Sequence, residues 1–219
     1  AAVNTAYAAS ASSGDGVSNL GDEAVTLTDT SGVTVATLNT LNGNTTGTIN
    51  AATITAISGA ITALNTAYAS NEISGLGAET VTISDTGSVA ATDLTTLATA
   101  NSSGTLAASS VSTITGTADQ VIAAYASGVV DSGLGDEAIT VTGNVSVAQA
   151  RSLNALTTGV VTGTITSGKS ISDILDESSG ITESGGSNAY TITVASGDAS
   201  ATAANLNSLD DLTTVAVDA

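Results

Sequence analysis

One stretch recurs four times along this chain of 219 residues and limits what the chain can fold into. The clearest copy reads Gly75-Leu76-Gly77-Ala78-Glu79-Thr80-Val81-Thr82-Ile83-Ser84-Asp85-Thr86. An earlier copy is Asn19-Leu20-Gly21-Asp22-Glu23-Ala24-Val25-Thr26-Leu27-Thr28-Asp29-Thr30, and a later one is Gly133-Leu134-Gly135-Asp136-Glu137-Ala138-Ile139-Thr140-Val141-Thr142. A worn copy is Asn188-Ala189-Tyr190-Thr191-Ile192-Thr193-Val194. Apolar residues alternate with Thr or Ser, the period-two pattern of a half-buried strand. Such repetition specifies stacked supersecondary units in place of one globular core.

Ala24, Thr80, Ala138 and Ala189 align, giving a long repeat of about 50–60 residues. The chain therefore reads as one array over 1–219: a partial repeat 1–23, repeats at about 24–79, 80–137 and 138–188, and a partial repeat 189–219. Each repeat opens with the strand and a turn, then a helical stretch at 33–41, 89–98 (Ser88 as N-cap), 147–156 and 201–209. A short extended segment follows at 46–49, 103–106 and 162–165, then a linking turn at 53–59 and 110–116. A second helix comes next at 61–70, where Ile61, Leu64 and Tyr68 share a face, and at 118–127, with 1–10 as a shortened copy. The third repeat decays over 168–177, and 180–187 reads as a loop. The expected fold is an α/β solenoid of strand-helix coils, with a parallel sheet on one side and helices on the other. The abundant Thr, a poor helix former, keeps an all-β solenoid as the alternative.

Composition narrows the function classes. The apolar residues are almost all Ala, Val, Ile and Leu, with four Tyr and no Phe, Trp or Met, which suits thin stacked coils. With neither Cys nor His, the chain has no disulfide framework, no thiolate metal site and no imidazole base. Arg151 and Lys169 are its only cations and its net charge is −18, which argues against nucleic acid and anionic membranes as partners. No apolar run approaches the roughly 20 residues of a membrane span. The chain starts at Ala and shows no signal peptide, so it reads as processed or as cut from something longer. Its acidic, Lys-poor surface stays soluble in high salt, which favours a secreted protein in saline water.

Two rows of side chains are candidate sites. Asp22, Glu23, Glu79, Asp136 and Glu137 precede the recurring strand, and Asp29 and Asp85 follow it. Stacked coils would line these carboxylates up, and oxygen-only ligands suit Ca²⁺. Neither a calcium β-roll repeat nor an EF-hand loop is present, and the plainer reading is acidic, solvated turns. Thr26 and Thr28, Thr82 and Ser84, Thr140 and Thr142, and Thr191 and Thr193 form a ladder that resembles the rows of ice-binding proteins. The plainer reading here is a β-branched strand face covered by helices. Asn39, Asn65, Asn154 and Asn207 either form side-chain ladders or face water, and Tyr7, Tyr68 and Tyr125 are expected ring-in and hydroxyl-out. No catalytic residue is expected, because nothing is placed to activate a nucleophile.

Leu64-Asn65-Thr66-Ala67-Tyr68-Ala69-Ser70, Ile73-Ser74-Gly75-Leu76-Gly77 and Val25-Thr26-Leu27-Thr28-Asp29-Thr30 together resemble the repeats of giant secreted surface proteins of marine unicellular cyanobacteria, over about residues 1–160. The resemblance implies an extracellular or cell-surface location, a structural or motility-associated role, and a dependence on Ca²⁺. Matching Tyr7 to Tyr68, and 213–219 to 45–51, leaves a second copy placed head-to-tail about ten residues short of continuing the array. The expected partner is therefore the chain itself, as a head-to-tail homopolymer, or neighbouring repeats of a longer chain. The expected role is a structural repeat protein of a filament, sheath or surface layer, and not an enzyme; the alternative is a calcium-dependent adhesin or glycan-binding module.

Overall fold

The recurring stretch turns its apolar residues inward and its hydroxyl residues outward. This is seen in a computed structural model, which describes residues 3–7, 20–126, 128–176, 181 and 188–218. Val81 and Ile83 are fully buried while Thr80, Thr82 and Ser84 are exposed. Ile139 and Val141 are buried against exposed Thr140 and Thr142, and Ile192 and Val194 against exposed Thr191 and Thr193. The Thr ladder is thus a solvent face, uncovered by helices. Parallel sheets are usually covered on both sides. Here the β-branched Thr side chain suits an open face.

The fold is α/β, with parallel strands alternating with helices. The strands in chain order are β1 (Val25–Thr26), β2 (Val33–Thr34), β3 (Ile49–Asn50), β4 (Ala56–Gly59), β5 (Ile73–Ser74) and β6 (Thr80–Ile83). Then come β7 (Ser88–Ala90), β8 (Thr105–Ala107), β9 (Thr113–Gly116), β10 (Ala138–Val145), β11 (Val161–Ile165) and β12 (Ala189–Thr191). The helices are α1 (Val35–Asn44), α2 (Ile61–Tyr68), α3 (Ala91–Ala100), α4 (Ala118–Ala124), α5 (Val147–Asn154), α6 (Ile171–Leu175) and α7 (Ala203–Asp210), and residues 3–7 are also helical.

Two compact units are present. Unit 1 comprises Ala1–Asp85, Asp93–Ser110 and Gly128–Ser132, and unit 2 comprises Thr86–Thr92, Val111–Ser127 and Gly133–Ala219. Unit 1 holds two parallel sheets, β1-β3-β5 and β2-β4-β6-β8. Val33 pairs with Ile57, Ile57 with Val81 and Val81 with Leu106, so successive coils are nearly equal in length. Val25, Ile49 and Ile73 pair in the same way, at the same spacing. Unit 2 holds one parallel sheet in the order β12-β11-β10-β9-β7. Val89, Ile114, Ile139 and Val161 stack there in register, at most 2% exposed, with a bulge in β10 between Thr140 and Asn144. Each such side chain contributes about 1.5–3 kcal/mol on burial.

Three features correct the sequence reading. The single sheet is three sheets. The linking turns at 53–59 and 110–116 contain strands β4 and β9, so in unit 1 two strands precede α1 and α2 in their coils. Their alternation is too brief to register as a strand. The helices expected at 61, 118 and 147 start there, while those expected at 33 and 89 start two residues later. Val33–Thr34 and Ser88–Ala90 are strands, so Ser88 opens β7 and does not cap a helix. Part of the decayed stretch at 168–177 forms α6, with Ser170 as its N-cap. The copy of the second helix at 1–10 and the loop at 180–187 fall largely outside the described residues.

In the Thr-rich helices the hydroxyls are satisfied locally. Thr40, Thr66 and Thr99 each donate to the carbonyl four residues back, at 2.8 Å. Thr117 and Ser146 close capping boxes with Gln120 and Gln149. Buried Leu38 and Leu41 in α1, and Leu94 and Leu97 in α3, supply the packing that overrides weak propensity. The two-faced strand yields a direct expectation. Ile139→Ala should lower stability in denaturant unfolding by about 2–5 kcal/mol, while Thr140→Ala on the wet face should stay within about 0.5 kcal/mol.

Candidate functional site

The polar residues that the strand pattern cannot bury alone are gathered into a recurring clasp. A Tyr on the upstream helical segment meets the Glu before the next strand. The Tyr68 hydroxyl donates to Glu79 Oε2 (2.7 Å), and the Gly77 and Ala78 amides donate to the same oxygen (2.8 and 3.2 Å). Tyr125 donates to Glu137, which also accepts from the Gly135 amide (2.9 Å to Oε2) and the Asp136 amide (3.3 Å). Tyr7 donates to Glu23 Oε2 (3.2 Å), beside the Gly21 amide (2.8 Å). Glu79 and Glu137 are 1% and 3% exposed. A carboxylate this deep is tolerable only when hydrogen-bonded, and each clasp supplies a hydroxyl and backbone amides as donors.

The backbone of each clasp is tied to the following coil. Thr45 Oγ1 donates to the Glu23 carbonyl (2.9 Å), Asn101 Nδ2 to the Glu79 carbonyl (2.9 Å) and Thr157 Oγ1 to the Glu137 carbonyl (2.6 Å). The amides of Thr46, Ser103 and Thr158 donate to the carbonyls of Gly21, Gly77 and Gly135. The coils approach so closely that a methyl group on Gly47, Gly104 or Gly159 would overlap the Glu carbonyl oxygen it faces. In the fourth copy Thr213 Oγ1 donates to the Tyr190 carbonyl and the Thr214 amide to Asn188. Its bonding is therefore offset by two positions from the sequence alignment, and Tyr190 stands where the other copies have Glu. The Tyr190 hydroxyl turns to Asn154 Oδ1 (2.5 Å).

The tyrosines thus point their hydroxyls inward, against the expectation. The asparagines divide. Asn4, Asn39 and Asn65 each donate to a carbonyl of the next helix, at Thr37, Ala63 and Asp93 (2.9, 2.9 and 3.1 Å), as a ladder should. Asn207 is exposed.

The seven expected calcium ligands lie in different settings. Asp22, Asp29 and Asp136 are exposed. Glu23, Glu79 and Glu137 are clasp residues. The carboxylate of Asp85 accepts from the Ile61 amide at the start of α2 (2.7 Å). Asp198, which was not singled out, does the same for Ile171 at the start of α6 (2.6 Å). Among the described residues, no three Asp or Glu side chains converge as a metal-binding group. The clasp itself was missed. Its signal was present, since Tyr precedes Gly-x-Glu by a similar interval in three copies, at separations of 16, 11 and 12 residues from Tyr to Glu.

Comparison with family models, curated proteins and solved structures finds no match to this chain. No helix among the described residues is long and apolar enough to cross a membrane.

The clasps shift proton equilibria. The Gly21 amide, above all, holds the Glu23 carboxyl below the usual carboxylate range. The Ile171 amide does so for Asp198, with help from Ser200. Burial pushes the Tyr68 hydroxyl well up, aided by Glu79, and burial alone raises that of Tyr190. The raised tyrosines bind their protons more tightly folded than unfolded. Their contribution to stability is therefore complete below about pH 10 and is lost as pH rises further. An alkaline titration followed by phenolate absorbance should show Tyr68 and Tyr190 ionising only as circular dichroism reports unfolding. Tyr68→Phe should cost about 1.5–3 kcal/mol, the value of a hydrogen bond to a charged group. In a double-mutant cycle with Glu79→Gln, the two losses should not add.

Proposed function

We propose that the chain is an extracellular structural repeat protein. It forms or extends a filament, sheath or cell-surface layer by stacking its coils into a solenoid, with further coils contributed by neighbouring chains. It is secreted into saline water, works without an active site, and has other copies of the same repeat as its partners. The observation that carries this reading is the repeated clasp. Tyr7, Glu23, Tyr68, Glu79, Tyr125 and Glu137 bond to one another in pairs and to neighbouring amides. The net charge of −18, with two cations, supports the same reading, because it keeps such an array soluble until salt screens the repulsion.

Electron microscopy of the 219-residue chain in seawater-like salt tests the proposal, with millimolar Ca²⁺ and again with chelator. Assemblies built by end-on addition in both buffers are the expected result. Discrete particles under every condition would overturn it. Assemblies confined to the calcium buffer would give the acidic turns, Asp22 and Asp136 first, an ion-binding role.

A further inference from the structure

None of the twelve strands contains Asp, Glu, Lys or Arg, although the chain has 20 acidic residues and two basic ones. The exposed strand faces are therefore uncharged in a molecule of net charge −18. Exposed strands are ordinarily kept from pairing with other chains by charged side chains, and these have none. Unit 2 shows the consequence on a single sheet. Ala90, Thr115, Thr140, Thr162 and Ala189 stand in register across its five strands. Past the bulge in β10, Asn144, Thr164 and Thr191 form a second row. Thr140, Thr162, Thr164 and Thr191 are all exposed. This surface crosses the whole sheet and is not a strand edge.

We propose that this face docks against the same face of a second copy of the chain. The two sheets lie about 10 Å apart. Their threonine side chains interdigitate, as identical uncharged side chains do between other paired sheets. Charge selects the occupant. Two chains of net charge −18 repel wherever their carboxylates come together, and here the strands bring none. Asp218, bridged to Thr193 beyond β12, borders the face, so the contact strengthens as salt screens that charge.

Area sets the strength. Five strands of this length present roughly 300 Å² to a partner, against about 800 Å² on each side of a standard stable interface. One pair of faces therefore associates weakly. A row of stacked copies presents the face many times over, and the contacts add. The lateral role rests on the coil-stacking reading, and it identifies the contact that sets stacked assemblies side by side.

The test is amide NMR of the 219-residue chain in seawater-like salt, diluted from millimolar to micromolar concentration. The signals of Thr140, Thr162, Thr164 and Thr191 should shift with concentration. Thr140→Glu combined with Thr162→Glu should weaken the association at least about tenfold. Ala148→Glu combined with Ser208→Glu adds the same charge at exposed helix positions and should leave it unchanged, with circular dichroism confirming that each variant is folded. Shifts absent, centred outside the face, or altered equally by both variant pairs overturn the proposal. Signals that ignore dilution but move on addition of a neutral glucan give the face another occupant and overturn it as well. Under the electron microscope, assemblies of the unaltered chain should lie side by side and those of the Thr140→Glu, Thr162→Glu chain singly. Single assemblies from the unaltered chain would overturn the face contact and leave the stacking reading standing. Concentration-dependent shifts with no end-on assembly in any buffer would keep the face contact and sink the stacking reading.

Discussion

In three of the four copies of the recurring stretch, the carbonyl and carboxylate of one Glu hold neighbouring segments together. At Glu79 the carbonyl accepts from Asn101 in the next coil, while the carboxylate accepts from Tyr68 and two amides of its own turn. One residue therefore closes its turn, anchors the helix that enters it and receives the following coil. Gly104 must lie flat against it, since a side chain there would meet the carbonyl. A buried carboxylate without these donors would be destabilising by several kcal/mol. The copies at Glu23 and Glu137 keep the Tyr hydroxyl and backbone amides on the carboxylate, with Thr45 and Thr157 in place of Asn101 on the carbonyl.

Other features follow from coils that are short and nearly equal in length along most of the sheets. So short a turn of chain encloses little volume, and Val, Ile, Leu and Ala fill it without large rings. The helices sit close enough for one Asn to reach the next helix, as Asn39 reaches Ala63. Asp85 and Asp198 reach back one coil to cap a helix start. These bonds join residues 24 to 27 positions apart, so each stretch of chain gains stability from the next.

The strand faces were legible because Val81-Thr82-Ile83 and Ile139-Thr140-Val141 alternate cleanly, and only one register buries them. The helices were legible from Leu94 and Leu97. Strand β4 was not, because Ala56-Ile57-Ser58-Gly59 carries a single fully buried side chain and gains its strand geometry from β2 and β6 on either side. The clasp was hidden for a related reason. A Tyr beside polar neighbours reads as hydroxyl-out unless its partner is known, and that partner lies 11 or more residues away in a different element. The long sequence repeat, which spans more than two coils, also conceals the shorter period. Equivalent residues such as Val25 and Val81 stand in different sheets, β1 in one and β6 in another. Counting repeats along the chain therefore does not count coils in space.

The most direct test of this account is carboxyl carbon NMR of the folded chain, observed while Ca²⁺ is added to millimolar concentration. Oxygens already committed to Tyr hydroxyls and backbone amides should not take up an ion, so the account predicts that the Glu79 and Glu137 signals stay in place. Saturable movement of those two signals, together with Asp22 or Asp136, would contradict it and make the acidic turns an ion site first and a fastening second.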